Sequence, residues 1–222
     1  MAKQFNVQVK AKHYFSSHYD DIPRFISYFK QIEIVKSLSP DKTLEIGPGN
    51  MTVANYLKHS GFSIDTCDFD ENLRPDFVAD VRNLPFADNS YSLVMACEIL
   101  EHLPWDDLDQ ALSELCRVSS KYVLISIPYS SASFEIVFEF PLIKRFFKRS
   151  FFDFALSIPY FFREAKFDGQ HYWEMGRKGY SRARFRSALS QYLEILDESS
   201  PVLNSCHRFF LCHKNMPSDC KG

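Results

Sequence analysis

The sequence predicts an α/β fold built on a doubly wound, mostly parallel sheet. Three observations lead there. Strand-like apolar runs alternate with helical runs from residue 43 to 128, an order that implies right-handed βαβ crossovers. The helical runs carry apolar residues at 3.6-residue spacing. The first strand-like run ends in Gly47-x-Gly49, a turn at which a nucleotide-like ligand can approach the backbone.

Taken in order, Ile22, Phe25, Ile26, Phe29, Ile32, Val35 and Leu38 mark one apolar face of a helix over 22–39, closed by Pro40. Thr43–Ile46 reads as a short buried strand and 51–58 as a helix closed by Gly61. Ser63–Cys67, Phe77–Ala79 and Tyr91–Cys97 read as the next strands. Leu108, Ala111, Leu112, Leu115 and Val118 form another helical face, and Tyr122–Ile127 a fifth strand stopped by Pro128. Beyond it the alternation breaks. It resumes with Ser181 as the N-cap of a helix and two closing strands, 192–196 and 208–212. One domain, 1–222, is expected in four parts: an N-terminal lid and helix (1–42), a cofactor-binding core (43–128), an aromatic insertion and acceptor region (129–180), and a closing helix with strands (181–222).

The chain has 222 residues with 45% hydrophobic and 24% charged side chains and a formal net charge of −2, so bulk charge argues against a nucleic-acid partner. Six cysteines show no CxxC pair or zinc-like spacing. Free thiols fit a reduced, cytoplasmic setting. The first residues hold no apolar core of signal-peptide length, and no run approaches the ~18 apolar residues of a membrane span. Peripheral contact with a membrane stays open.

Glu45 is the informative residue near the glycine turn. A carboxylate there repels a pyrophosphate and attracts a cation. S-adenosyl-L-methionine (SAM), with its sulfonium and ammonium, suits acid-x-Gly-x-Gly better than NAD does; Thr52 also departs from the dinucleotide fingerprint. Asp68 follows the second strand, where an acid can accept both ribose hydroxyls. Asp80 follows the third, where it can accept from an adenine amino group with Val81 covering the ring.

Residues 43–128 resemble the class I SAM-dependent methyltransferases. "LEIGPGN" and "DTCDFD" are similar to their first two motifs. "ADVRNLPFADNSYSLVMACEILEHL" is similar to the segment shared by the large group that includes the ubiquinone-biosynthesis methyltransferases. The resemblance implies a Rossmann-like seven-stranded sheet with its last strand antiparallel, and SAM as cofactor. It assigns Glu45, Gly47, Gly49, Asp68, Asp80 and Val81 to cofactor binding, with Cys97 and Glu98 lining the site. In relatives the N-terminal segment, here with His13, Tyr14 and Tyr19, often covers the cofactor.

Methyl transfer needs alignment, exclusion of water and, for a hydroxyl acceptor, a base. His102 is the first choice of base, with His171 in "GQHYWEMG" second; Trp173 of that stretch reads equally as core. Glu98, Glu101 and His102 form E-x-x-E-H, a pattern that some related enzymes use to hold a divalent metal. His207 and His213 read as structural.

Residues 134–167 contain half of the 22 phenylalanines, interleaved with Lys144, Arg145, Lys148, Arg149, Arg163 and Lys166. Basic and aromatic residues at helical spacing predict a helical insertion that touches anionic lipid, embraces an apolar or lipid-linked acceptor, pairs two subunits, or simply caps the sheet edge. The expected activity is methyl transfer from SAM to a small-molecule or glycan acceptor, at oxygen. The competing readings are a catalytically silent SAM-binding module that docks through the insertion, and, more weakly, a dehydrogenase. Oligomeric state is not legible.

Overall fold

The computed structural model describes residues 9, 11–16, 19–139 and 151–215. Helix α1 (Ile22–Leu38) begins where the Asp21 side chain accepts from the Arg24 amide, with Pro23 at an early helical position, and ends at Ser39 in the left-handed region. Strand β1 (Thr43–Ile46) follows, then α2 (Thr52–His59), β2 (Ile64–Asp68), β3 (Phe77–Val78), β4 (Tyr91–Cys97), α3 (Leu108–Val118) and β5 (Ser119–Pro128). After a separate hairpin of β6 (Ser131–Phe138) and β7 (Phe152–Pro159), the chain closes with α4 (Arg182–Leu189), β8 (Leu193–Ser199) and β9 (His207–Lys214).

Seven strands form one sheet in the order β3-β2-β1-β4-β5-β9-β8. Neighbours from β3 to β5 pair in parallel; β9 alone runs antiparallel, to both β5 and β8. The alternation read from the sequence is therefore the doubly wound sheet, and its last strand is the reversed one. Pro128 does not stop β5 short but is its last paired residue, opposite His207.

The pleat of β4 divides the core. Leu93 and Met95 pack with Val35, Leu57, Leu124 and Phe209 on the side of α1 and α2. Val94 and Ala96 pack with Leu112, Leu115, Ile125 and Phe185 on the side of α3 and α4. Each fully buried Leu or Phe contributes about 1.5–3 kcal/mol, so these two layers fix the sheet, and the loops at its carboxyl edge inherit that rigidity.

Two sequence expectations need correction. The insertion is not helical where it is described: β6 and β7 are an antiparallel pair from Ser131↔Pro159 to Phe138↔Phe152. Residues 140–150, including Lys144, Arg145, Phe146, Phe147, Lys148 and Arg149, lie outside the described residues. The apolar stripe of α1 does not face the core along its whole length. The helix buries Ser27, Gln31, Ile34 and Val35, while Ile22, Phe25 and Phe29 are exposed. Its rotation is set by polar contacts: Asn204 Nδ2 donates to Pro23 O at 2.7 Å and to Ser27 Oγ at 2.8 Å.

Candidate active site

β1 delivers the chain into the glycine turn at the carboxyl edge of the sheet. Gly47 N donates to Cys67 O at 2.8 Å, which locks the turn to the end of β2. Gly47 has φ +69°, and a Cβ there would lie 1.8 Å from Ile99 Cδ1. Overpacking together with the left-handed backbone costs about 1–3 kcal/mol. Gly47→Ala is therefore expected to lower the thermal midpoint and displace Ile99, read by calorimetry. Met51 also sits in the left-handed region, φ 64°. Asn50 steadies the turn: its Oδ1 accepts from Thr52 N at 3.1 Å and its Nδ2 donates to Asp20 at 2.9 Å.

Glu45 is 6% exposed. Its Oε2 meets no hydrogen-bond partner among the described residues. Burial pushes its carboxyl up to about 8, only partly opposed by Lys58. An orphaned buried carboxylate is costly unless something cationic completes it. Asp68, at the end of β2, is also buried, and burial moves it up to about 6 although the Asp70 amide donates to its Oδ1 at 2.9 Å. Tyr14 comes near both features: its ring lies 3.3 Å from where a Gly49 Cβ would be, and the charges of Asp68 and Asp70 add to burial in raising its phenol.

Asp80 has a different setting from these two acids. Its oxygens accept from the Arg82 side chain and amide, and Arg82 also donates to Asp107 at 2.7 Å. Burial works to raise the Asp80 carboxyl, but the Arg82 bonds outweigh it and hold it below its usual range. Val81 beside it is buried in the core.

The loop after β4 carries the acids and histidine of E-x-x-E-H, and the structure splits them. Glu98 has φ +58° and breaks away from the short 3-10 turn Leu100–His102, so Glu98 and Glu101 do not share a helical face. Glu98 Oε1 accepts from Ser126 Oγ at 2.7 Å and Oε2 faces His207 Nε2 at 3.3 Å. The Glu98 carboxylate can only accept, so a neutral His207 donates Nε2–H to it and takes the Ser27 hydroxyl proton on Nδ1 at 2.7 Å, while Ser27 Oγ accepts from Asn204. The imidazole then carries its proton on Nε2, aimed at Glu98. His207 is thus part of the site's framework. The antiparallel β9 could have revealed it, because its first residues must lie at the carboxyl end of β5. Cys97 sits beside these groups; desolvation first, then the Glu45 charge, push its thiol well up.

Glu101 is fully buried, and neither carboxyl oxygen meets a hydrogen-bond partner among the described residues. Burial, then the neighbouring Glu98 charge, push it well above the usual carboxylate range. His102 Nδ1–H donates to Gln170 O at 3.0 Å, which leaves Nε2 as the basic nitrogen. Burial, then the neighbouring His171, lower His102 to about 4. The His102 and His171 rings meet edge to face with centroids 4.9 Å apart. Ligand atoms of Glu101, His102 and His171 lie within 4.8 Å of one another. The structure thus brings the two expected histidines together.

His171 is held there by its own loop. Tyr172 N donates to Glu101 O at 2.9 Å, and His171 Nδ1 faces Glu174 Oε1 at 3.3 Å. Trp173 is core: it is fully buried, donates Nε1–H to Leu103 O at 3.1 Å, and stacks on Tyr180. Ser27, Ser126 and Arg24, whose guanidinium lies 4.4 Å over the Tyr19 ring, were not singled out by sequence reasoning as site residues.

The model of the methyltransferase domain family matches residues 44–127. That span is similar to a methyltransferase domain. Its limits run from β1 into β5, and within them lie Glu45 and Asp68 on β1 and β2 and Asp80 and Glu98 in the loops after β3 and β4. Among solved structures, magnesium protoporphyrin IX methyltransferase from Synechocystis, with bound SAM, superposes with a TM-score of 0.60 at 12% identity, covering 94% of this chain and 93% of that one. The 1,6-didemethyltoxoflavin-N1-methyltransferase of Burkholderia thailandensis, with bound 1,6-didemethyltoxoflavin and S-adenosylhomocysteine, gives 0.58 at 14% identity, covering 93% and 87%. The N-methyltransferase NodS of Bradyrhizobium japonicum, in complex with S-adenosylhomocysteine, gives 0.52 at 11% identity, covering 89% and 90%. At these identities the likeness is one of fold. No curated protein matches the chain. Among the described residues, no helix is long and apolar enough to cross a membrane.

Proposed function

We propose that the protein transfers a methyl group from SAM to the oxygen of a small-molecule or glycan acceptor. The observation that carries this reading is the buried, unpartnered Oε2 of Glu45 beside the glycine turn. A cationic amino-acid moiety completes it, as a pyrophosphate cannot. In this reading Asp68 accepts from the ribose, and Val81 lies along the adenine. Asp80 reaches the adenine amino group only with lone pairs that Arg82 leaves over. The N-terminal segment, through Tyr14, covers the donor.

At the reacting end, the acceptor oxygen attacks the methyl carbon in line, the carbon–sulfur bond breaks, and the neutral thioether leaves. The acceptor proton passes to His102 Nε2, with His171 packed against it. Burial keeps His102 in the neutral, proton-accepting form but weakens it as a base, so it takes the proton only as the oxygen becomes acidic in the transition state, and the same burial excludes competing water. The test is incubation of the full chain with methyl-labelled SAM and acceptor extracts. A labelled product supports the reading. Tight donor binding with no product from any extract would make the protein a silent SAM-binding module, and stabilisation by NAD but not by SAM would make it a dehydrogenase.

A second reading is carried by Glu101. Two imidazoles and a carboxyl with unpartnered oxygens, brought within 4.8 Å, fit a divalent cation, which would supply Lewis-acid orientation of acceptor hydroxyls. The holders would be Glu101, His102 and His171, with Glu98 turned away to His207. The expected result is roughly one equivalent of bound dication in the isolated chain, lost in Glu101→Gln, and turnover abolished by excess chelator. Metal-free protein with undiminished turnover removes this reading and leaves His102 as the base.

A further inference from the structure

Arg24, in the first turn of α1, puts a positive charge beside the crevice. Its guanidinium lies 4.4 Å over the Tyr19 ring. The Tyr19 hydroxyl in turn lies 3.5 Å from where a Gly49 Cβ would be, so the charge stands across one phenol ring from the glycine turn. It also faces the loop after β4. Burial dominates the shifts of Glu101 and His102, and the Arg24 charge opposes the first and adds to the second. The cation that acts on the buried Glu45 is a different one, Lys58. Arg24 therefore belongs to the acceptor end of the crevice and not to the pocket of the donor's ammonium.

The face of a ring attracts a guanidinium but leaves its N–H donors for other partners. Among the described residues the Arg24 side chain makes no hydrogen bond or ion pair. The acids near it have partners of their own. Asp20 accepts from Asn50 Nδ2 at 2.9 Å, and Asp21 caps its own helix. Glu98 accepts from Ser126 and faces His207, and burial keeps the proton on Glu101. A partly buried guanidinium with its donors open is a seat for an anion. A carboxylate fits it best, since one positive charge balances one negative charge. A phosphate group carries nearly two at neutral pH, and the excess would be repelled in a crevice already lined by Asp68 and Glu98.

We propose that Arg24 anchors the methyl acceptor by a carboxylate, so that the acceptor is a hydroxy acid methylated at its hydroxyl oxygen. The proposal rests on the methyl-transfer reading above and narrows its acceptor. The guanidinium fork takes the two carboxylate oxygens, and the hydroxyl at the other end of the acceptor is presented to His102 Nε2 and to the methyl. The hydroxyl oxygen gains the methyl, its proton passes to His102, the donor leaves as the thioether, and the carboxylate is unchanged. Anchor and base stand on different elements, α1 and the loop after β4, so the span between them selects the acceptor by length.

The test uses the full chain with methyl-labelled SAM and acceptor extracts. The labelled product is expected to be an acid, retained on an anion exchanger at neutral pH, with its methyl stable to alkali as in an ether. Arg24→Met is expected to raise the KM for that acceptor by about 10- to 100-fold, with kcat and the Kd of SAM little changed. Arg24→Lys should recover part of the loss. The Met variant should fold, since the Asp21 cap holds only the Arg24 amide. Without any extract, calorimetry on the chain loaded with S-adenosylhomocysteine uses benzoate as the probe and benzamide as its uncharged counterpart. Wild type should bind benzoate the more tightly, and Arg24→Met should treat the two alike. A neutral or basic product, an unchanged acceptor KM in Arg24→Met, or equal binding of benzoate and benzamide by wild type overturns the proposal. So does a loss of SAM affinity in Arg24→Met that decarboxylated SAM does not share, which would give the guanidinium to the donor's own carboxylate. If SAM binds and no extract yields product, the methyl-transfer reading fails by itself, and the benzoate pair still decides the role of Arg24.

Discussion

Glu45→Gln is expected to weaken SAM binding by about 10- to 100-fold, the loss of one charge-assisted hydrogen bond of about 1.5–3 kcal/mol. It is also expected to remove most of the pH dependence of that binding above pH 6, leaving the part that belongs to Asp68. In the absence of donor, Glu45 holds its proton until about pH 8, against an ordinary value of 4.5. A cationic guest needs the ionised form, so below pH 8 a proton must leave on binding. Wild-type affinity should then rise as pH increases from about 6 to 8, by up to about tenfold per unit from this group. Calorimetry in buffers of different ionisation enthalpy measures the released proton directly. Stability runs the other way. The folded state binds more protons than the unfolded chain between pH 4.5 and about 8, so this residue's stabilising contribution is present below that window and is lost as pH rises through it. The Gln variant should lose that slope and fold at least as well as the wild type at pH 8. An unchanged affinity in Glu45→Gln would detach the carboxyl from the donor.

His102→Ala is expected to lower kcat by about 10²- to 10⁴-fold, the usual contribution of a positioned acid–base group, with donor affinity unchanged. Single-turnover transfer from labelled SAM measures it. Trp173 and the Tyr172–Glu101 bond hold the facing loop independently of His102, so the variant should fold. His171→Ala should have a smaller effect, since it removes a ring contact and not the basic nitrogen. Equal transfer in wild type and His102→Ala would move the base elsewhere, and His207 would not replace it, because both its nitrogens already face protein groups.

The parts of this molecule that obey a repeating pattern were legible in advance. Strands β1, β2, β4 and β5 and helix α3 announce themselves by apolar runs or by the 3.6-residue spacing of Leu108, Ala111, Leu112, Leu115 and Val118. The glycine turn with Glu45 and Asp68 was legible because charge and backbone freedom are local properties. The hairpin was misread although its signal was present. Phe134, Ile136 and Phe138, and then Phe152, Phe154, Leu156 and Ile158, alternate with a period of two, but the basic residues between them suggested an amphipathic helix. The rotation of α1 could not be seen, because it is decided by Asn204, far along the chain. The same holds for Glu98 and Glu101: nothing local says that one turns to His207 while the other is buried without a partner. Pairings between distant segments are tertiary facts, and a single sequence carries little trace of them.

The run of donors from Asn204 through Ser27 and His207 to Glu98 has a consequence for truncation. A chain cut just before β1 keeps its whole sheet but loses the hydroxyl that tells the imidazole where to put its proton. The ring can then take its other tautomer, two lone pairs confront each other across the crevice floor, and the carboxylate swings. Such a fragment would also lose Ile34 and Val35 from the core, so assembly of the catalytic floor, like that of one core layer, waits on helix α1 meeting the last strand.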